Sequence, residues 1–166
     1  MDATPLVAAE PATEHTETRP ALLSFITLYV VTTVHHLYGG LVLDAPVRLL
    51  VPLLLALPLA GGAAALEWFR RTGRRGAART YAGIALVVAG VLGLVHSAYS
   101  HLYKDVLFLL RGPAELYVLL NPDEHYPPDD LFFEVTGVIE LVAAVVVTVT
   151  AIRLLRAASR SAAPPA

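Results

Sequence analysis

Six ionisable side chains of this sequence fall inside long apolar stretches, where such groups are rare. An ionisable group within a bilayer is costly, and it usually faces the interior of a helix bundle. Imidazole nitrogen suits zinc, copper and iron, and mixed sets of histidine and carboxylate suit zinc or non-haem iron. A cluster of these groups would therefore be a candidate metal site or acid–base site. The six are His35, His36, His96, His101, Glu134 and Glu140.

Four apolar stretches must position these residues, and each is long enough to cross a bilayer as an α-helix. They cover roughly residues 21–43, 47–69, 82–103 and 131–155. About 20 residues at 1.5 Å per residue span the hydrocarbon core. A spanning β-strand needs only about ten residues and alternates polar with apolar side chains, which these stretches do not. We therefore predict an all-α integral membrane protein, built as a four-helix transmembrane bundle.

The composition agrees with a membrane protein. The chain has 166 residues, of which 56% are hydrophobic and 16% are charged, too few polar residues to cover a soluble domain of this length. A net charge of −2 gives no reason to expect nucleic acid as a partner. The chain has no cysteine, which excludes disulfides, thiolate metal sites and iron–sulfur clusters. Residues 1–20 and 157–166 are predicted to be disordered tails around a transmembrane domain of residues 21–156.

Arginines between the second and third spans and after the fourth span predict the orientation. By the positive-inside rule both regions are cytoplasmic, so both termini are predicted inside and the acidic segment 104–130 outside. Within that segment, Gly112 and Pro113 begin a predicted short interfacial helix over residues 113–120. The plasma membrane is the predicted location. The arginines are Arg70, Arg71, Arg74, Arg75, Arg79, Arg153, Arg156 and Arg160.

The helical rise predicts that ionisable groups from three spans meet in the outer half of the bundle. His36 and His96 both lie about 10 Å below the outer boundary, and Glu140 lies at roughly 13 Å. These depths predict a deep layer of His96, Glu140 and one residue of the pair His35 and His36. Because neighbouring residues of a helix are about 100° apart, only one of that pair is expected to point inward.

A shallower layer is predicted from His101 and Glu134. If the third span continues beyond residue 103, Asp105 becomes a helical neighbour of His101, four residues further on. A histidine–carboxylate pair at that spacing can bind a metal ion or fix the tautomer of the histidine. Lys104, the only lysine, is expected to extend toward the lipid headgroups.

The leading interpretation is a metal-binding membrane enzyme, an oxidoreductase or hydrolase acting on a lipophilic substrate. The expected ion is iron, zinc or copper, and the spacing matches neither HExxH nor the ExxH of di-iron bundles. The candidate catalytic residues are His96, Glu140 and Glu134. The candidate metal ligands are His35, His36, His96, His101, Asp105, Glu134 and Glu140.

Other interpretations of the same residues remain open. Two histidines from facing helices could hold haem b, in an electron carrier. A histidine–glutamate pair without a cofactor could perform acid–base chemistry, such as isomerisation of a lipid, or relay protons in a small transporter. The residues could also form hydrogen bonds between helices in a subunit of a larger assembly. The expected partners are membrane lipids, a lipophilic small molecule, and a second copy or another membrane subunit.

Overall fold

A computed structural model of the chain describes residues 12–42, 44–112 and 130–160, and these residues are almost entirely helical. Helix α3 passes without a break into a π-helical segment and then into α4, so the three form one continuous rod. The elements are α1 (Ala12–Val42), a 3₁₀ helix (Pro46–Leu50), α2 (Val51–Thr72), α3 (Arg75–Ala89), the π-helix (Gly90–Tyr103), α4 (Lys104–Arg111) and α5 (Leu131–Arg160).

Four helical stretches are long and apolar enough to cross a membrane, which confirms the predicted all-helical, four-span architecture. They are Thr16–Val42, Pro46–Thr72, Arg75–Arg111 and Leu131–Arg160, and we call them spans one to four. The third span is longer than the predicted 82–103 because the helix continues through α4. The predicted interfacial helix over residues 113–120 lies outside the described residues.

Spans one and three both pack against span four in antiparallel fashion. The hydroxyls of Ser24 and Thr150 lie 2.8 Å apart between spans one and four. A methyl group on Gly93 of span three would overlap Ala144 of span four, so the two backbones approach closely there. Small residues allow such close approach in membrane bundles. Span two packs on spans one and three.

The two halves of the bundle have different interiors. In one half, Phe25, Leu66 and Tyr81 pack in an apolar core with Val147 and Leu154, all almost fully buried. In the other half, the buried side chains of the same spans are mainly histidine, glutamate, serine and threonine. The apolar half holds the spans in register, and this register sets the heights of the polar groups in the other half.

The helices are longer than the sequence predicted at both ends of the chain. Helix α1 begins at Ala12 and α5 ends at Arg160, so residues 12–20 and 157–160 are helical and the expectation of disorder is wrong for them. Extending an existing helix by one residue requires much less free energy than starting a new helix. The polar residues that flank a stable span therefore become helical as well.

The connection between spans one and two begins with an unusual backbone conformation. Asp44 has a φ of 52°, in the left-handed region. Ala45 takes the capping position and offers no side-chain hydrogen bond. Pro46 begins a 3₁₀ turn that precedes α2, because its ring fixes φ and it needs no hydrogen-bond acceptor at the first position.

Asp130 caps span four and ties its first turn to span one. Its carboxylate accepts hydrogen bonds from the Phe133 backbone N–H at 2.9 Å and from the Tyr38 hydroxyl at 2.8 Å. Both bonds favour the charged form and hold the pKa of Asp130 below its ordinary value of 3.8. The stabilisation is therefore present above that value and is lost as the pH falls through the pKa of the folded protein.

Candidate metal centre

Four side chains from three spans converge in one group, which we call the His–Glu group. Each of the four offers one ligand atom, and these atoms lie within 4.8 Å of one another. The group reproduces the predicted deep layer, so the predicted convergence of these side chains is confirmed. The four residues are His35 and His36 of span one, His96 of span three and Glu140 of span four.

Both histidines of span one point into the group, so the expectation that only one of them faces inward is wrong. His35 and His36 are 0% and 6% exposed, and their ring centroids lie 5.1 Å apart. The physical reason is that span one faces two neighbours here. His35 reaches Thr136 of span four at 3.0 Å, whereas the ring of His36 lies 5.0 Å from that of His96 on span three.

The π-helical segment brings a second histidine of span three to the same side of the helix. His96 and His101 are five residues apart, which in an α-helix would place them about 140° apart. In a π-helix the hydrogen bonds join residues five apart, and the two ring centroids lie 5.4 Å from each other. The Ser97 hydroxyl follows the same spacing, donating to the carbonyl of Leu92 at 2.8 Å. The prediction treated this span as an α-helix throughout, which is wrong for Gly90–Tyr103.

The hydrogen bonds of His36 fix its tautomer. Its Nδ1 lies 3.0 Å from the Thr32 carbonyl oxygen, and because a carbonyl only accepts, Nδ1 must carry the proton. In the neutral ring, Nε2 then has a free lone pair. Imidazoles that bind metals are commonly oriented by such a bond from the other ring nitrogen.

The contacts of His35 favour the same tautomer. The Thr136 hydroxyl lies 2.8 Å from the Phe132 carbonyl, and when it donates there its oxygen accepts from His35 Nδ1 at 3.0 Å. Nε2 of His35 is buried and has no hydrogen-bond partner among the described residues. The ring is held from one side by Phe133, which stacks on it with centroids 4.2 Å apart. His35 therefore presents a bare, oriented lone pair.

Glu140 is positioned by Thr32, the same residue that orients His36. The Thr32 hydroxyl donates to Glu140 Oε1 at 2.5 Å. The other carboxylate oxygen, Oε2, is buried without a hydrogen-bond partner in the described part of the chain, and lies 4.0 Å from His96 Nε2. One threonine thus fixes two members of the His–Glu group and leaves a coordinating atom free on each.

The shallower layer is a buried chain of His101, Glu134 and Lys104. Glu134 accepts hydrogen bonds from His101 Nδ1 at 2.6 Å and from Lys104 Nζ at 2.5 Å. Lys104 is 3% exposed, so the expectation that it extends to the headgroups is wrong, because an ion pair with Glu134 holds it inside. His101 pairs with this carboxylate instead of with Asp105, its expected helical neighbour; Asp105 lies beside Glu134.

The predicted ligands therefore divide into two sets. His35, His36, His96 and Glu140 form the His–Glu group, while His101, Glu134 and Asp105 lie outside it. The ring centroid of His101 is nevertheless 4.7 Å from that of His35, so the two layers are in contact.

Sequence reasoning assigned no positioning role to the residues that orient these rings. Thr32 precedes His36 by four residues, and Thr136 precedes Glu140 by four, the spacing at which side chains share a helix face. That spacing was the available signal. Phe133 and Arg48 also contribute to the site, but no sequence pattern indicated this. The Phe133 ring stacks on His35, and the Arg48 guanidinium lies 4.6 Å from the centroid of the Phe133 ring.

Comparison with protein-family models, with curated proteins and with solved structures finds no match to this chain. The function of the His–Glu group is therefore inferred from its own geometry.

Proposed function

We propose that the His–Glu group binds one transition metal ion, namely zinc, iron or copper, through His35, His36, His96 and Glu140. The observation that carries the proposal is a set of buried polar atoms without partners among the described residues: His35 Nε2, His96 Nε2 and Glu140 Oε2. An unsatisfied buried polar group costs about 1–3 kcal/mol. A single cation would satisfy all three atoms.

A purely structural hydrogen-bond network explains these atoms less well. His35 and His36 both carry their proton on Nδ1 and turn an unprotonated Nε2 lone pair toward the group. A carboxylate oxygen of Glu140 is also an acceptor, and acceptors cannot hydrogen-bond to one another. Three acceptors that face the same point need a donor or a cation between them, and a single cation can serve all three at once.

The spacing of the side chains fits a bare ion better than haem b. Zinc and nitrogen are about 2.0–2.1 Å apart, and four tetrahedral ligands are then about 3.4 Å from each other. The ligand atoms lie within 4.8 Å of one another, so modest rotation of the side chains completes the shell. Haem instead needs a flat macrocycle between two imidazoles, whereas the rings of His36 and His96 pack with centroids 5.0 Å apart. The space beside Gly39, where a macrocycle would need room, is filled by Arg48 and Phe133.

We further propose that the metal centre serves an oxidoreductase or hydrolase whose lipophilic substrate arrives from the bilayer. His36 is six residues from the end of α1, which places it about 9 Å inside the span. His96 is the most accessible member of the group, with 28% of its side chain exposed. Its neighbours Val95 and Tyr99 are 67% and 52% exposed, so an approach to His96 passes apolar side chains.

A groove next to the site supports this route. It lies between spans three and four, has a volume of about 310 Å³, and comes within one helical turn of His96 at Gly93. Its lining includes Leu94, Leu141 and Val145 and contains no charged residue. In the orientation that the positive-inside rule favours, with both termini in the cytoplasm, the site lies toward the outer side and the groove lies near the middle of the bilayer. This placement fits a protein of the plasma membrane.

Metal analysis combined with an absorption spectrum tests the proposed function. Purified protein, loaded with zinc, iron(II) or copper and freed of excess ion, should retain about one ion per chain, as a structural or catalytic site does. A Soret band, together with the absence of bound non-haem metal, would favour haem b. Protein that retains neither ion nor haem would reject the proposal.

Thr32 provides a test of the oriented ligands. We expect Thr32→Val to weaken metal binding about 10- to 100-fold, as the loss of an orienting partner does elsewhere, because valine cannot hold Glu140 Oε1. Competition with a chelator measures the change. Thr148→Val is the matched control, since the Thr148 hydroxyl bonds only to the Ala144 carbonyl in its own helix. Equal affinity in both variants would show that Thr32 does not position a ligand.

A further inference from the structure

Arginines are concentrated at the end of the bundle opposite the His–Glu group. We call it the arginine-rich end: span one begins there, span two ends, span three begins and span four ends. The acidic side chains described there are Glu17 and Glu67, so the charge is strongly positive. The arginines are Arg19, Arg70, Arg71, Arg74, Arg75, Arg79, Arg153, Arg156 and Arg160.

A groove at this end joins a charged rim to an apolar floor. It lies between spans one and two and has a volume of about 360 Å³. Arg19 and Arg70 stand on the rim together with Glu67. Arg19 is exposed, and within the described residues it has no ion-pair or hydrogen-bond partner. The floor is formed by Leu22, Ala63 and Leu66.

Among the described residues, the one carboxylate on the rim is already neutralised. Glu67 accepts hydrogen bonds from Arg70 at 3.1 Å and from Arg71 at 2.7 Å. Each of these bonds uses one nitrogen of a guanidinium group that carries five N–H donors. Arg19 and the remaining donors of Arg70 therefore present a net positive charge to whatever lies in the groove.

We propose that this groove is a binding site for an anionic phospholipid. The phosphate would lie between Arg19 and Arg70, where planar guanidinium groups match its geometry, and the first carbons of an acyl chain would cover Leu22, Ala63 and Leu66. The helix ends place the rim at the level of the headgroups, because Arg19 follows the start of span one and Arg70 precedes the end of span two. The site is separate from the His–Glu group and independent of any metal.

The single tryptophan of the chain lies beside this groove, outside its lining, and reports on lipids around it. Trp68 is 49% exposed and directly follows Glu67. The protein is reconstituted in phosphatidylcholine vesicles that contain phosphatidylglycerol or phosphatidylcholine with brominated acyl chains, and quenching of Trp68 gives the relative affinity. We expect phosphatidylglycerol to bind preferentially. Arg19→Gln should lower this preference about five-fold, the effect of one basic residue near an anionic surface.

Arg153→Gln is the matched control, because it removes the same charge at the same end of the bundle but from span four, outside the groove. It should leave the preference for phosphatidylglycerol almost unchanged. Equal quenching by both brominated lipids in the wild-type protein would overturn the proposal. So would an equal loss of preference in Arg19→Gln and Arg153→Gln, since the attraction would then be general and not local.

Discussion

His96→Gly is expected to reduce bound metal from about one ion per chain to roughly a tenth of that under the same loading conditions, because a site with three protein ligands holds its ion less tightly than one with four. His96 is the only member of the His–Glu group from span three, and its Nε2 is buried without a hydrogen-bond partner in the described residues. Metal content after removal of excess ion measures the effect. Glu140→Gln should cause a similar loss, since it removes the charged ligand.

Added imidazole separates loss of a ligand from loss of the fold. Glycine at position 96 leaves a cavity of the shape of the lost ring, and the side chain it replaces is 28% exposed, so free imidazole can enter. Metal binding by His96→Gly should recover in millimolar imidazole. His125→Ala serves as control, because it removes a histidine that does not belong to the predicted ligand set, and it should retain its metal. Full metal content in His96→Gly without imidazole would exclude His96 as a ligand.

Lys104→Met is expected to lower the free energy of unfolding by about 3–5 kcal/mol, the cost of removing one partner of a buried ion pair. The side chains of Lys104 and Glu134 are only 4% and 8% exposed. Without the lysine, the buried carboxyl group of Glu134 would keep only its hydrogen bond to His101. Unfolding in mixed micelles with increasing denaturing detergent measures the change.

A double variant and an exposed pair provide the controls for this prediction. Lys104→Met combined with Glu134→Gln should recover much of the lost stability, because no charge is then buried alone. Arg71→Gln breaks an ion pair with Glu67 whose side chains are 75% and 44% exposed. Such surface pairs contribute about 0–1 kcal/mol. If Lys104→Met lowers the free energy of unfolding no more than Arg71→Gln does, the buried hydrogen-bonded set of His101, Glu134 and Lys104 does not stabilise the fold.

The fold could be predicted from the sequence because hydrophobic length alone identifies spans. Four stretches of the required length leave little choice of architecture. The convergence of His36, His96 and Glu140 was also predictable, since the helical rise fixes the depth of each residue whatever its direction. Depth needs only the position of the span end, which the sequence marks well.

Directions around the helix axis could not be predicted in the same way. The angle between His96 and His101 depends on the helix type, and no sequence pattern in residues 90–103 indicates a π-helix. A change from the α to the π period moves each residue around the axis while leaving its depth nearly the same. That is why the predicted layers match the structure whereas the predicted partner of His101, Asp105, does not.

The partner of Lys104 was missed for a related reason. A lone lysine near a span end can extend to the headgroups or turn inward to an acidic group, and only the packing of span four decides between them. Gly137 contributes to that packing: a methyl group at this position would overlap the ring of His101. The small residue lets span four approach His101, and this approach places Glu134 within reach of both basic side chains.

X-ray absorption spectroscopy of the metal-loaded protein tests the proposed centre most directly. We predict a first shell of nitrogen and oxygen atoms at about 2.0–2.2 Å from the ion, with the outer-shell scattering of three imidazole rings. In Thr32→Val the imidazole contribution should persist, because valine keeps the backbone carbonyl that orients His36 and loses only the hydroxyl that holds Glu140. A first shell of oxygen atoms without imidazole scattering would contradict the proposal, because the ion would then be held by groups other than His35, His36 and His96.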